Sequence, residues 1–180
     1  MSDKQVAAPS SLAARLESYE AVLLGVLMMI ATYFLTMAIF TLRTRVGVFR
    51  RTHMRQFDEI HQKEVKQSKA PSFGYPDCGS GWYSKSLSYA DWYKMNCAQR
   101  CQLNFLEQLP IVLVGALVAG IEYRTWTFVI CVVYSVARLM YGFGYMHSPK
   151  GRVPGAILQD IAVLGFLGLG FSSAYKLAFD

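Results

Sequence analysis

Four long apolar segments constrain the fold of this chain more than any other feature. They cover residues 19–42, 103–121, 126–146 and 156–178, and the first contains Glu20 as its one charged residue. A membrane-spanning helix needs about 20 mainly apolar residues, which each segment reaches or approaches. The whole chain is 53% hydrophobic and only 17% charged. These properties predict an all-α fold, an integral membrane four-helix bundle.

We predict one transmembrane domain over residues 1–180, with helices near 19–43, 97–121, 124–146 and 155–178. The first apolar run is longer than the core of a typical signal peptide, so we interpret it as a retained helix. Residues 44–96 form the one long connection. Its first half resembles a surface helix supported by a Glu59–Lys63 pair, and its second half is a loop rich in proline, glycine and aromatic residues. Two interpretations stay open for it, a linker on the lipid headgroups and a lid over a site.

The distribution of basic residues predicts the orientation of the helices. The turn between the second and third helices offers only Arg124, opposite Glu122, and the connection after the third helix carries Lys150 and Arg152. Positive charge favours the cytosolic side, so we place both basic connections in the cytosol and both termini in the lumen. Attraction of the basic connections to anionic lipid explains the net charge of +6 better than binding to nucleic acid does. The connection after the first helix carries Arg43, Arg45, Arg50, Arg51, Arg55, Lys63, Lys66 and Lys69.

Two polar stripes interrupt the apolar segments. Arg100, Asn104 and Glu107 recur at intervals of four and three in the second segment, and Arg138, Tyr141 and Tyr145 at three and four in the third. At about 100° per residue each set lies on one helix face. Charged groups in a spanning helix are costly unless they face a protein interior or a polar cavity. Both stripes fall in the cytosolic half, near Arg152, which favours a polar ligand site between helices. The competing interpretation is that paired charges hold the helices together.

Other chemistries have weaker support in the sequence. Cys97 and Cys101 share a helix face, but no CxxC motif or compact set of four ligands indicates a zinc site. The cysteines indicate no disulfide framework, and no phosphate loop or Ser/His/Asp motif is present. Asp160 lies within the fourth apolar segment. An interfacial or capping role and a role in the site both remain open for it.

Two motifs carry a resemblance to a known family. The sequence RCQLNFLEQLP (100–110) resembles the helix-two signature of the membrane-associated proteins in eicosanoid and glutathione metabolism (MAPEG), and ARLMYGFGYMHSPKGR (137–152) is similar to their helix-three signature. The closest likeness is to the microsomal glutathione transferase and leukotriene synthase branches. The resemblance implies a homotrimer in the endoplasmic reticulum membrane, with glutathione bound between subunits. It implies Arg152 as the catalytic residue facing the thiol, and glutathione contacts by Arg100, Gln102, Asn104, Glu107, Arg138, Tyr141, Tyr145 and a basic residue ending helix one, Arg43 or Arg45.

The residues fit this ligand chemically. Glutathione has two carboxylates and one ammonium, and arginine binds carboxylates through its planar, bidentate guanidinium. The expected function is conjugation of the thiolate to lipophilic electrophiles, with peroxidase activity on lipid hydroperoxides as a second reaction. One alternative is an eicosanoid synthase of the leukotriene C or prostaglandin E type, although Gln108 replaces an aromatic residue common in those members. The other is an accessory protein that binds glutathione or lipid without turnover.

Overall fold

The computed structural model describes residues 19–179, and within that range every regular element is a helix. Residues 1–18, with the predicted lumenal N-terminus, and residue 180 lie outside the described part of the chain. Four long helices are each long and apolar enough to cross a membrane. These are α1 (Glu20–Val48), α4 (Tyr89–Glu122), α5 (Arg124–His147) and α6 (Val153–Phe179), and two short helices, α2 (Arg51–Met54) and α3 (Asp58–Val65), lie between α1 and α4. The predicted four-helix membrane fold is confirmed.

Small residues let the four long helices approach closely. A Cβ atom added to Gly155 of α6 would lie 2.4 Å from the backbone nitrogen of Tyr141, and one added to Gly142 of α5 would lie 2.3 Å from a ring carbon of Phe40. Between the helices, apolar side chains fill a continuous core. Close backbone approach of this kind is how helices pack in lipid, where apolar burial alone gives little driving force.

The first helix contains a π-helical segment, Met37–Leu42. The hydroxyl of Thr41 within it donates to the backbone oxygen of Ala98 at 3.0 Å, which joins α1 to α4. A π segment rotates every following side chain relative to a continuous α-helix. Just beyond it, Arg43 is exposed and Arg45 is 3% exposed. Arg43 and Arg45 are two residues apart on the helix, about 200° around its axis, so they face different surroundings.

The helix boundaries differ from the predicted ones at one end of the bundle. Helix α1 continues to Val48 instead of residue 43, and α4 begins at Tyr89 instead of residue 97. Both overhangs are held by a second apolar core that includes Phe49, Met54 and Met95. The side chain of Ser88 caps α4 by accepting from the backbone N–H of Asp91 at 3.2 Å. Polar residues in the sequence marked where the apolar segments end. Packing in this second apolar core keeps the chain helical beyond those ends.

Two carboxylates organise residues 49–88, which we call the cap, by accepting hydrogen bonds from its backbone. The Asp77 carboxylate accepts from the backbone N–H groups of Gly79, Gly81 and Ser84 and from the Ser84 hydroxyl, at 2.7–2.9 Å. Burial by itself raises the pKa of Asp77, but these hydrogen bonds outweigh it and hold the pKa below its usual value. Asp58 pairs with Arg51 and accepts from Ala70 N. The expected Glu59–Lys63 pair is replaced by a Lys63–Glu64 contact of 3.7 Å.

Candidate functional site

Arg138 is the centre of a buried polar network in the bundle. Its side chain is 2% exposed. Its Nη1 donates to Asn104 Oδ1 at 2.8 Å and to Gln159 Oε1 at 2.6 Å, and its Nη2 donates to the Cys101 carbonyl at 3.3 Å. The network joins α4, α5 and α6. Arg138 and Asn104 therefore contribute to helix association within one chain, whatever else they bind.

Aromatic rings enclose the same guanidinium. The Arg138 Cζ lies 4.2 Å from the ring centre of Phe105 and 4.7 Å from that of Tyr141. A cation over a desolvated aromatic face is stabilised by about 2 kcal/mol or more. Among the described residues its Nε has no hydrogen-bond partner. Arg138 is thus held by two aromatic rings and at both terminal nitrogens, so most of its guanidinium is already engaged within the chain.

Arg152 stands at the outer side of this network. It lies directly before the first residue of α6, after Pro149 and Gly151, and it is exposed. Its Nη1 donates to the Tyr141 hydroxyl at 3.4 Å, and its Cζ lies 5.5 Å from the Tyr145 ring centre. The Tyr141 and Tyr145 rings are 5.7 Å apart. Arg152 thus folds back toward Tyr141 and Tyr145, and its exposed guanidinium keeps donors for a ligand.

Arg100 and Glu107 lie on the outward side of α4. Their side chains are 55% and 60% exposed, and Arg100 Nη1 is 3.9 Å from Glu107 Oε1. The predicted stripe is therefore divided, because Asn104 turns inward to Arg138 while its neighbours turn outward. A charge pair facing out of a spanning helix requires a polar surrounding that one chain does not provide.

The remaining candidates occupy different positions. Gln102 Nε2 donates to the Tyr33 hydroxyl at 3.4 Å, between α4 and α1. Arg43 lines an open cleft of ≈ 430 Å³ at the cap end of the bundle, together with Arg50 and Lys94. Arg45 instead turns into the cap, where it donates to the Phe73 carbonyl at 3.2 Å and lies 4.4 Å from the Tyr75 ring centre. Of the two arginines that end helix one, Arg43 is the one available to a ligand.

Sequence reasoning did not identify Gln159. This residue is 3% exposed and supplies the shortest hydrogen bond to Arg138. Its signal was an uncharged polar side chain inside the fourth apolar segment, next to the more conspicuous Asp160. Gln108 also has a structural partner, since its Oε1 accepts from the buried Tyr134 hydroxyl at 3.2 Å.

The arrangement suits the binding of anions better than the binding of metals. Within residues 19–179 no three metal-ligating side chains come together. The four cysteines are free thiols, and three of them are buried. The exposed guanidinium groups of Arg43, Arg100 and Arg152 can each bind a carboxylate, and Glu107 can bind an ammonium.

A comparison with protein families agrees with the fold and the motifs. The model of the MAPEG family matches residues 21–172, which include α4 and α5 entirely, most of α1 and α6, and every candidate site residue. Its members are multi-pass membrane proteins that include glutathione transferases and eicosanoid synthases, and they generally use glutathione. With most of its length matched, this chain belongs to the MAPEG family.

Proposed function

We propose that this protein is a membrane-bound glutathione transferase that conjugates the glutathione thiolate to lipophilic electrophiles. The observation that carries the proposal is the outward, incompletely paired set of Arg100, Glu107 and Arg152. Charged groups at membrane depth persist only against a polar partner. Glutathione offers that partner: Arg100 and Arg43 complement its two carboxylates, Glu107 its ammonium, and Arg152 its thiolate.

The proposed site requires a second copy of the chain. Arg100 and Glu107 face away from their own bundle, whereas Arg138 and Asn104 face into it. In a homotrimer, which the family resemblance implies, an outward face meets a neighbouring subunit. Gln102 and Arg43 would then complete the binding site between subunits, with the buried Arg138 network holding α4, α5 and α6 in register.

Arg152 is the proposed catalytic residue. The thiolate is the nucleophile, and a free thiol has a pKa near 8.5. Lowering that pKa by about 2 units needs roughly 2.7 kcal/mol of preferential stabilisation of the thiolate. An exposed guanidinium steadied by the Tyr141 hydroxyl and the Tyr145 ring is able to supply it. The other arginines would bind the carboxylates equally in the ground state and the transition state.

The second substrate is proposed to enter from the bilayer as an apolar electrophile. With a lipid hydroperoxide the same thiolate would act as a reductant, so detoxification of lipid peroxides is the second proposed activity. An eicosanoid synthase is the less favoured alternative, because Gln108 is engaged by Tyr134 and replaces the aromatic residue common in those members.

The proposed location is the endoplasmic reticulum membrane, with the cap and Arg152 in the cytosol and the termini in the lumen. This topology rests on the basic residues of the two connections. Labelling of a Lys63→Cys variant in sealed microsomes should occur without permeabilisation. Labelling only after permeabilisation would refute the topology.

The decisive experiment for function uses the purified full chain in detergent. We expect glutathione to form a complex that absorbs as a thiolate in the ultraviolet, and the complex to conjugate 1-chloro-2,4-dinitrobenzene. Complex formation without conjugation of this or a lipophilic electrophile would favour an accessory protein. Absence of a complex would remove glutathione from the proposal.

A further inference from the structure

An apolar groove runs between α4 and α6 on the outside of the bundle. It has a cavity volume of ≈ 460 Å³, and its walls include Ile111 and Val114 from α4 and Leu167 and Phe171 from α6. The helices close its floor, because a Cβ atom added to Gly115 would lie 3.0 Å from Phe166 Cβ. The groove therefore opens away from the bundle of its own chain.

The axial register of α4 and α6 shows what continues this groove toward the cap. The two helices run in the same direction, and the Ser173 hydroxyl donates to the Ala119 carbonyl at 3.2 Å. Nearer the cap, Arg138 Nη1 contacts Asn104 and Gln159 together. Residues near 160 in α6 therefore lie at about the same depth as residues near 106 in α4.

Two carboxylates lie beyond the groove's lining on its cap side, on the helix faces that form its walls. Asp160 precedes Leu167 by seven residues and Phe171 by eleven, which at about 100° per residue places it on the same face of α6. Glu107 precedes Val114 by seven residues, on the same face of α4. The apolar groove is thus followed, nearer the cap, by acidic groups on the same two helix faces.

The two carboxylates differ in their partners. Glu107 has the Arg100 guanidinium at 3.9 Å. Asp160 is exposed, and its hydrogen bond from Gln159 Nε2 is long, at 3.5 Å. Among residues 19–179, the ion pairs include none that involves Asp160. The Asp160 charge interacts with the buried Arg138 guanidinium and, from the exposed face of α6, with whatever enters the groove.

We infer that Asp160 is a specificity-determining residue for the second substrate. This inference rests on the proposed function and names its substrate class: an uncharged amphiphile whose tail fills the groove and whose hydroxyl or hydroperoxide group donates to Asp160. An ionised carboxylate accepts hydrogen bonds and donates none, so it favours such donors and repels a second carboxylate. Free fatty acids and other lipophilic anions are therefore the disfavoured ligands, and their neutral esters are the favoured ones.

The test measures ligand selectivity without glutathione. Purified full-length protein in neutral detergent is titrated with cis-parinaric acid and with its methyl ester, and the ratio of the two dissociation constants is compared between variants. We expect the wild type to bind the ester more tightly, and Asp160→Asn to shift the ratio toward the acid by about tenfold. Asp160→Glu should keep the wild-type ratio. Glu64→Gln removes the same charge from the exposed α3 and should leave the ratio unchanged.

Two outcomes would overturn the inference. One is the same ratio in the wild type, Asp160→Asn and Asp160→Glu. The other is failure of both probes to bind any variant, which would mean that a second copy of the chain covers the groove. Because the measurement needs neither thiolate formation nor turnover, a protein inactive with glutathione would still give a selectivity ratio. Conversely, conjugation activity with an unaltered ratio would leave the proposed function standing and remove Asp160 from it.

Discussion

The inward and outward polar groups of this protein contrast in how they are stabilised. Arg138 is buried and has hydrogen-bond partners on two other helices of the same chain, Asn104 and the Cys101 carbonyl on α4 and Gln159 on α6. Arg100 and Arg152 lie in the same part of the bundle, yet they are exposed and keep donors available. The difference teaches that polar residues in one spanning helix divide by direction: inward groups hold the fold, and outward groups are free for a ligand or a neighbour.

The largest expected effect comes from replacing the centre of the inward network. Arg138→Met would orphan at least two buried acceptors, at about 1–3 kcal/mol each, and remove the cation that contacts the Phe105 and Tyr141 rings. We expect the free energy of unfolding to fall by about 3–5 kcal/mol, measured as a lower midpoint of thermal unfolding in detergent. Arg100→Met is the matched control and should change the midpoint little. Equal midpoints for both variants would contradict the contrast.

The outward set should respond in ligand binding instead. Arg100→Ala is expected to weaken glutathione binding by about 2–4 kcal/mol, since a carboxylate of the ligand would lose a charge-assisted contact. Isothermal titration calorimetry gives the dissociation constant, and the unfolding midpoint is recorded on the same sample. Loss of stability with unchanged glutathione affinity would make Arg100 a structural residue.

Arg152 sharpens the contrast by separating turnover from binding. Arg152→Ala should lower kcat by about 10- to 100-fold, equivalent to about 1.4–2.7 kcal/mol, with a smaller change in glutathione affinity. Raising the pH should partly restore the rate, because the thiol then ionises without the guanidinium. The pH–rate profiles of Arg152→Ala, Arg43→Ala and Arg45→Ala are compared. A wild-type profile for Arg152→Ala would exclude it from thiol activation, and a shifted profile for Arg43→Ala would transfer the role there.

The smallest effect is expected in the cap, where Asp77 repeats the inward pattern. Asp77→Asn should cost about 1–2 kcal/mol, because an amide cannot accept all the donors that now reach the carboxylate. The pKa of Asp77 is lowered in the folded chain, so its stabilisation is present above the unfolded value near 4 and is lost as the pH falls through the folded value. The rate of hydrogen exchange at the Gly81 and Ser84 amides, recorded as the pH is lowered, measures this loss of stabilisation. Equal acid sensitivity in the wild type and in Asp77→Asn would contradict it.

Several features of the site followed from helical periodicity alone. Spacings of three, four and seven placed Arg138, Tyr141 and Tyr145 on one face, and the structure brings the Tyr141 and Tyr145 rings within 5.7 Å of each other. The same reasoning grouped Asn104 with Arg100 and Glu107, but their positions span enough of the helix surface for one to face inward and two outward. Which neighbour lies opposite each position is a tertiary property, so periodicity could not divide the stripe.

The sequence by itself determined the four membrane-crossing helices and the family, because apolar length and motif spacing are local properties of the chain. Only the tertiary structure decided that Gln159 binds Arg138, that Arg45 turns into the cap while Arg43 stays exposed, and that α1 and α4 continue beyond their apolar parts. Each of these depends on contacts between residues far apart in the chain, such as Thr41 with Ala98 and Arg45 with Phe73. Local patterns specify which helices form, and packing between them specifies which side chains remain free to act.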